Sequence, residues 1–148
     1  IADISASHSI LHGITIPKSR VASMIDEYPI LSIAAIKAKG DTIMEGVKEL
    51  RFKETDRIRA MCDGLNLLGV DTVENEDCMV VKGKGPGCIL NGNVSIKSNL
   101  DHRIAMSFLC LGLITENPIT VENTDTINSS FPSFLEIMNE VGAKLNHA

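Results

Sequence analysis

The sequence has no tryptophan and few rings of any kind: one tyrosine and four phenylalanines bring the aromatic content to 3%. Single-stranded nucleic acid is bound by aromatic stacking over a basic surface. The net charge here is −5, so neither requirement is met and no nucleic-acid partner is expected. No run of about 18 uncharged apolar residues occurs, so no membrane-spanning helix is expected. The four cysteines are Cys62, Cys78, Cys88 and Cys110. They form no Cys-x-x-Cys pair and no Cys/His pair at zinc spacing, so no metal is expected. Cys62 and Cys110 fall in helical apolar patterns and read as core thiols, which favours a reducing, cytoplasmic compartment. No secretory signal is visible. The chain opens on Ile1 rather than Met, inside strand-like sequence, and reads as a piece of a longer protein.

What is present is a globular composition, 44% hydrophobic over 148 residues. That is enough for one domain or two small subdomains. Residues 1–17 alternate loosely and read as one or two strands. Residues 26–38 read as a helix closed by Gly40, and residues 42–45 as a strand. The clearest helix spans 55–68, with Ile58, Met61, Cys62, Leu65 and Leu68 on one face and Gly69 just past its end. Residues 70–73 and 79–82 read as paired strands. The Gly- and Asn-rich stretch 83–93 reads as a loop, with no phosphate-loop spacing.

The pattern then recurs: strand 94–96, an apolar helix 101–114, strand 119–122, helix 130–141 with Pro132 near its start, and a strand from Ala143. Laid side by side, Asp26 corresponds to Asp101, residues 42–45 to 119–122, and Leu68-Gly69-Val70 to Val141-Gly142-Ala143. The spacing is roughly 75 residues. Mixed α/β packing follows, with units at 1–90 and 91–148 and helices packed against sheets.

Two cationic clusters open helices. The first is Lys53-Glu54-Thr55-Asp56-Arg57, the second Asp101-His102-Arg103. A helix N-terminus carries partial positive charge and free N–H groups, so Lys and Arg there need an anion between them. Phosphate or carboxylate groups of a ligand would serve, with Lys53 and Arg57 gripping oxygens and Glu54 moving a proton. Local salt bridges in a solvated first turn would serve as well. Arg103 opens a helix expected to be buried, so it needs a partner, either a protein carboxylate or a substrate anion. His102 either donates a hydrogen bond or caps. Asp26 is either the N-cap of its helix or a general base facing the two clusters. The Ser130 helix start reads as a plain cap.

At these residues the chain resembles the 5-enolpyruvylshikimate-3-phosphate synthase family. The matching strings are Met24-Ile25-Asp26-Glu27-Tyr28-Pro29, Glu49-Leu50-Arg51-Phe52-Lys53-Glu54-Thr55-Asp56-Arg57, Asp101-His102-Arg103-Ile104-Ala105-Met106 and Ser130-Phe131-Pro132. They stand in the family's order and reach from about residue 20 to the C-terminus. The resemblance implies an α/β (α+β) fold of βαβαββ repeats. On it, the chain holds about two of the three units of one domain, in an enzyme of two domains.

It further implies transfer of the enolpyruvyl group of phosphoenolpyruvate to the 5-hydroxyl of shikimate 3-phosphate, with no cofactor. The partner would be the missing N-terminal domain of the same enzyme. Asp26 matches the carboxylate that takes the hydroxyl proton, and Glu54 the acid/base at the methylene carbon. Lys53 matches a shikimate-phosphate contact. Arg57 and Arg103 match the pair that binds phosphoenolpyruvate, with His102 lining the same pocket. Ser129 stands where some members carry Lys, and Glu49 where some carry Asn. Two other readings compete. One is the related transferase acting on UDP-N-acetylglucosamine. The other is a non-catalytic or complementing fragment.

Overall fold

The computed structural model describes residues 3–147. In chain order the elements are β1 (Thr15–Ile16), α1 (Val21–Met24), α2 (Tyr28–Ile36), β2 (Lys39–Glu45), α3 (Arg57–Leu67), β3 (Thr72–Asn75), β4 (Cys78–Lys84), β5 (Ser95–Lys97), α4 (His102–Leu111), β6 (Thr120–Glu122), α5 (Ile127–Ser130) and α6 (Phe134–Glu140). Short 3-10 turns precede α1 (Lys18–Arg20), lead towards α3 (Lys48–Phe52) and extend α4 (Gly112–Ile114).

One sheet has the order β1-β2-β4-β3, and a second is made of β5 and β6. β1 runs parallel to β2, and β5 parallel to β6. Parallel neighbours need a crossover, and helices α2 and α4 supply one in each case. β2 and β4 pair antiparallel over their whole length, from Lys39 opposite Lys84 to Glu45 opposite Cys78. β3 and β4 form a hairpin closed at Glu76-Asp77.

The core lies between the sheets and the helices. Met44, Met79 and Val81 point into it from β2 and β4, and Ile36, Ile58, Met61, Leu65, Ile104 and Phe108 from the helices. Ile96 and Leu111 belong to the same cluster, so residues on either side of position 90 share one core. α3 and α4 meet where Gly64 faces the Phe108 ring. A Cβ on Gly64 would sit 2.2 Å from Phe108 Cζ, so only glycine lets the helices come this close. Gly69 follows α3 at φ +74°, the left-handed cap that the sequence pattern predicts.

Four expectations change. Residues 3–14 form no strand beyond an isolated bridge of His12 to Lys39, and Ile1 and Ala2 lie outside the described residues. The second helix starts at Tyr28, not Asp26, and the residue at its N-cap position is Glu27, which makes no side-chain cap. Pro29 fixes this start, because it fits the first turn of a helix and disfavours helical backbone in the residue before it. The helix expected over 130–141 begins only at Phe134, as α6, and a separate short helix, α5, ends at Ser130. Phe131 leaves helical geometry (φ −147°, ψ 76°), as the residue before Pro132 is biased to do. The strand expected from Ala143 is absent among the described residues. Leu145 is tied instead to Asn139 through its N–H and its carbonyl (2.8 and 2.9 Å), with no strand beside it to pair with.

Candidate active site

Helix α3 begins with Asp56 as N-cap, its Oδ1 accepting from the Arg59 amide at 3.0 Å. Arg57 follows, with its side chain 1% exposed. A buried guanidinium is tolerable only when paired and hydrogen-bonded. Arg57 donates Nε to Asp101 Oδ2 (2.8 Å), Nη1 to Asp26 Oδ1 (2.9 Å) and Nη2 to Glu54 Oε2 (2.7 Å). These partners differ in access. The side chain of Asp101 is 0% exposed, whereas those of Asp26 and Glu54 are 45% and 49% exposed. Asp101 therefore grips the inner edge of Arg57, and the outer tips face carboxylates that reach solvent.

Asp101 does a second job. It is the N-cap of α4, its Oδ1 accepting from the amides of Arg103 (2.9 Å) and Ile104 (3.3 Å). Arg103 sends its side chain back across the site, donating Nη1 to the Asp26 carbonyl at 2.9 Å. Its Nη2 lies 3.6 Å from Asp26 Oδ2, and its Nη1 lies 3.5 Å from Glu27 Oε1. Lys53 Nζ donates to Glu49 Oε1 at 3.0 Å. His102 is half-buried in the first turn of α4 and makes no side-chain hydrogen bond among the described residues.

The anions that the two cationic clusters require are thus carboxylates of the chain itself. Burial works to raise the Asp26 pKa, but the hydrogen bond from Arg57 and the charges of Arg103, Arg57 and Lys53 outweigh it, and the net shift is downward. Burial likewise pulls on Arg57, and Asp101, Asp26 and Glu54 more than compensate, so the guanidinium is held charged. Beyond Arg103 the wall turns apolar. A cleft of about 230 Å³ runs from Asp26 and Arg103 past Met106 and Cys110 to Phe131 and Phe134.

The structure therefore brings together Asp26, Glu54, Arg57 and Arg103, with Lys53 and His102 on the flanking turns. Sequence reasoning missed the bond from Asp101 to Arg57, treating that aspartate as a cap alone. It also gave no role to Arg51, whose side chain is only 16% exposed and so has to find acceptors. Ser129 only caps locally, donating to the Thr126 carbonyl at 3.0 Å. Among the described residues, no group of three or more His, Cys, Asp or Glu is placed to hold a metal. No helix there is long and apolar enough to cross a membrane.

A family model described as EPSP synthase (3-phosphoshikimate 1-carboxyvinyltransferase) matches residues 2–138. The chain belongs to this family. The 3-phosphoshikimate 1-carboxyvinyltransferase of Rhizobium johnstonii is 50% identical over 149 aligned residues, covering 98% of this chain and 32% of that protein. The corresponding protein of a Jannaschia species is 49% identical, covering 100% of this chain and 33% of its own length. In structure, an EPSP synthase from Acinetobacter baumannii superposes with a TM-score of 0.86 at 46% identity, covering 90% of this chain and 31% of that one. The chain thus spans about a third of the length of the curated relatives it matches. The expected enolpyruvyl-transferase-like α/β architecture is the one found, as part of such a domain.

Proposed function

We propose that this chain supplies one side of the active site of a 3-phosphoshikimate 1-carboxyvinyltransferase. The enzyme would join phosphoenolpyruvate to the 5-hydroxyl of shikimate 3-phosphate and release phosphate. The observation that carries the reading is the convergence of Asp26, Glu54, Arg57 and Arg103 within hydrogen-bond reach, from three stretches far apart in sequence. The rest of the EPSP synthase chain, which supplies the opposite domain, is the partner. Division into units at 1–90 and 91–148 belongs to the same proposal. No cofactor is needed, and the setting is the cytosol, with which four free thiols agree.

On this reading Arg57 and Arg103 hold the carboxylate and phosphate of phosphoenolpyruvate, each as a two-pronged donor. The incoming anion displaces Asp26 and Glu54 from the outer tips of Arg57, while buried Asp101 keeps the inner edge. That exchange releases both acids for proton transfer and raises the basicity of Asp26, whose depressed pKa depends on those arginines. Asp26 takes the proton as the 5-hydroxyl oxygen attacks C2 of phosphoenolpyruvate. Glu54 delivers a proton to C3, giving a tetrahedral intermediate. Glu54 then takes a proton back from C3 as the bond from C2 to the phosphate oxygen breaks, and phosphate leaves to give the enol ether. Lys53 contacts the shikimate phosphate, and His102 lines the pocket. Closure against the other domain would exclude water and strengthen these contacts.

The test is phosphate release from phosphoenolpyruvate and shikimate 3-phosphate. It is measured with this chain alone, and with the chain assembled with the remainder of an EPSP synthase. Release from the assembled enzyme and none from the chain alone is expected. No release from a folded, associated mixture would make the chain a non-catalytic fragment. Turnover with UDP-N-acetylglucosamine instead would move it to the related transferase.

A further inference from the structure

Arg51 precedes the Lys53-Glu54 pair and touches neither. Its guanidinium is nevertheless saturated on two sides. Nε and Nη2 donate to the carbonyls of Glu76 (3.1 Å) and Asn75 (2.7 Å) at the tip of the β3–β4 hairpin. Nη1 donates to Asp56 Oδ2 (2.7 Å) and Glu74 Oε1 (3.0 Å). Asp56 is itself fixed, because its other oxygen caps α3. The Arg51–Asp56 bond therefore closes a short loop, residues 52–55, and clamps both of its ends to rigid elements: the hairpin on one side, the helix on the other.

The neighbouring contacts support the same clamp. The Lys48 amide donates to Asp77 Oδ1 at 3.0 Å, and Leu50, 2% exposed, anchors the turn in the core. The loop itself has little else to hold it. Phe52 is 74% exposed, and among the described residues the side chains of Lys53 and Glu54 hydrogen-bond only to Glu49 and Arg57. Those are the two contacts that a bound substrate would replace. Once they are exchanged for ligand, the Arg51 clamp is what remains to set the loop's place.

We infer that Arg51 is a positioning residue: it sets the geometry of Lys53 and Glu54 by stapling the 52–55 loop between the hairpin tip and the cap of α3. The inference rests on the proposed reaction, in which Glu54 moves protons and Lys53 binds the shikimate phosphate. It assigns work to a residue that makes no contact with either substrate. Lysine cannot replace it, because a single ammonium cannot span two carbonyls and two carboxylates at once.

The test uses the assembled enzyme with Arg51→Lys and, from the other end of the staple, Asp56→Ser. Serine keeps the helix cap and removes the carboxylate. Arg59→Gln is the control: it removes another ion pair to Glu74 (2.9 Å) and leaves the loop clamp intact. Arg51→Lys and Asp56→Ser are each expected to lower kcat by about tenfold to a hundredfold and to raise KM for shikimate 3-phosphate, with KM for phosphoenolpyruvate held within about twofold. The double variant should be no worse than either single one. Amide exchange across residues 52–55 should rise in both and stay unchanged in Arg59→Gln. Loss of thermal stability with kcat, both KM values and loop exchange unchanged would overturn the inference. If Arg51→Lys fails to fold, Asp56→Ser carries the same test. If the unsubstituted enzyme releases no phosphate, the proposed reaction has failed, and loop exchange alone decides whether Arg51 holds the loop.

Discussion

Two crossover helices occupy matching places in the chain, and their acids are used in opposite ways. α2 links the parallel strands β1 and β2, and α4 links β5 and β6. Each is preceded by an aspartate, Asp26 or Asp101. At α4 the aspartate is fully buried, caps the helix and grips Arg57. At α2 it sits one residue further from the helix, caps nothing and is 45% exposed. Ahead of Asp101 only residues 98–100 follow β5, and they make a tight turn. Ahead of Asp26 the chain winds through a 3-10 turn and α1. The same residue type thus serves structure at one helix start and stays available for chemistry at the other.

The sharpest way to break this comparison is to remove the charge from each acid in turn. In the assembled enzyme, Asp26→Asn should lower turnover by about 10²- to 10⁴-fold, the usual worth of a positioned general base. Its thermal midpoint should hardly move, since the amide oxygen of asparagine can still accept from Arg57, which also keeps Asp101 and Glu54. Steady-state phosphate release beside a melting curve measures both. Near-normal turnover would take Asp26 out of the mechanism.

Asp101→Ala should do the reverse to stability. It strips the inner edge of a buried guanidinium and removes a helix cap, so about 3 kcal/mol or more should be lost in denaturant unfolding. Asp101→Asn separates the two jobs, because asparagine caps as well as aspartate. An Asn variant as stable as the parent would mean that the cap alone matters and that Arg57 is content with Asp26 and Glu54.

The elements around these acids were legible to different degrees. α3 and the β3–β4 hairpin could be read because their signals are local: a five-residue apolar face, a glycine at the helix end, alternating strands. The cationic clusters were legible as residues but not as pairs. Arg57 meets Asp26 31 positions away and Asp101 44 away, and Arg103 meets Asp26 77 away. No periodicity reports contacts at such range, so the sequence pattern left open whether the anions were ligand or protein. From its place alone Asp26 could be a cap, as an acid before a helix usually is, or equally a base. The proline at position 29 moved the helix start and left the carboxylate to Arg57 and Arg103 instead of the helix amides. The N-terminal stretch misled for a related reason: alternation promises a strand, but a strand also needs a neighbour, and among the described residues the pairing with β2 is continuous only at Thr15–Ile16, with a lone bridge at His12.

A smaller effect should appear with pH. The Asp26 pKa is lowered in the fold, so its contribution to stability is fully present above the unfolded value of about 4 and is lost as pH falls through the lower folded value. Melting temperatures taken between about pH 2 and 6 should fall less steeply for Asp26→Asn than for the parent. Parallel curves would mean that Arg57 and Arg103 do not depress this carboxyl in solution.

The smallest effect concerns what the tight turn before α4 costs. Asn99 and Leu100 both have left-handed backbone, at φ 53° and 61°. Asparagine tolerates that region, whereas leucine loses about 1–2 kcal/mol there. The Leu100 side chain is 56% exposed, so packing recovers little of this. The turn holds all the same, because the Asp101 amide donates back to the Ser98 carbonyl (3.0 Å) and the Asp101 carboxylate is locked inside. Strain at Leu100 is thus sustained by the burial of its neighbour, and α2, whose aspartate does not cap it, needs none. Leu100→Asn should therefore raise stability by about 1 kcal/mol and leave turnover unchanged. A loss of stability would show that the exposed leucine has a partner in the assembled enzyme, and the turn would then be holding a contact as well as a cap.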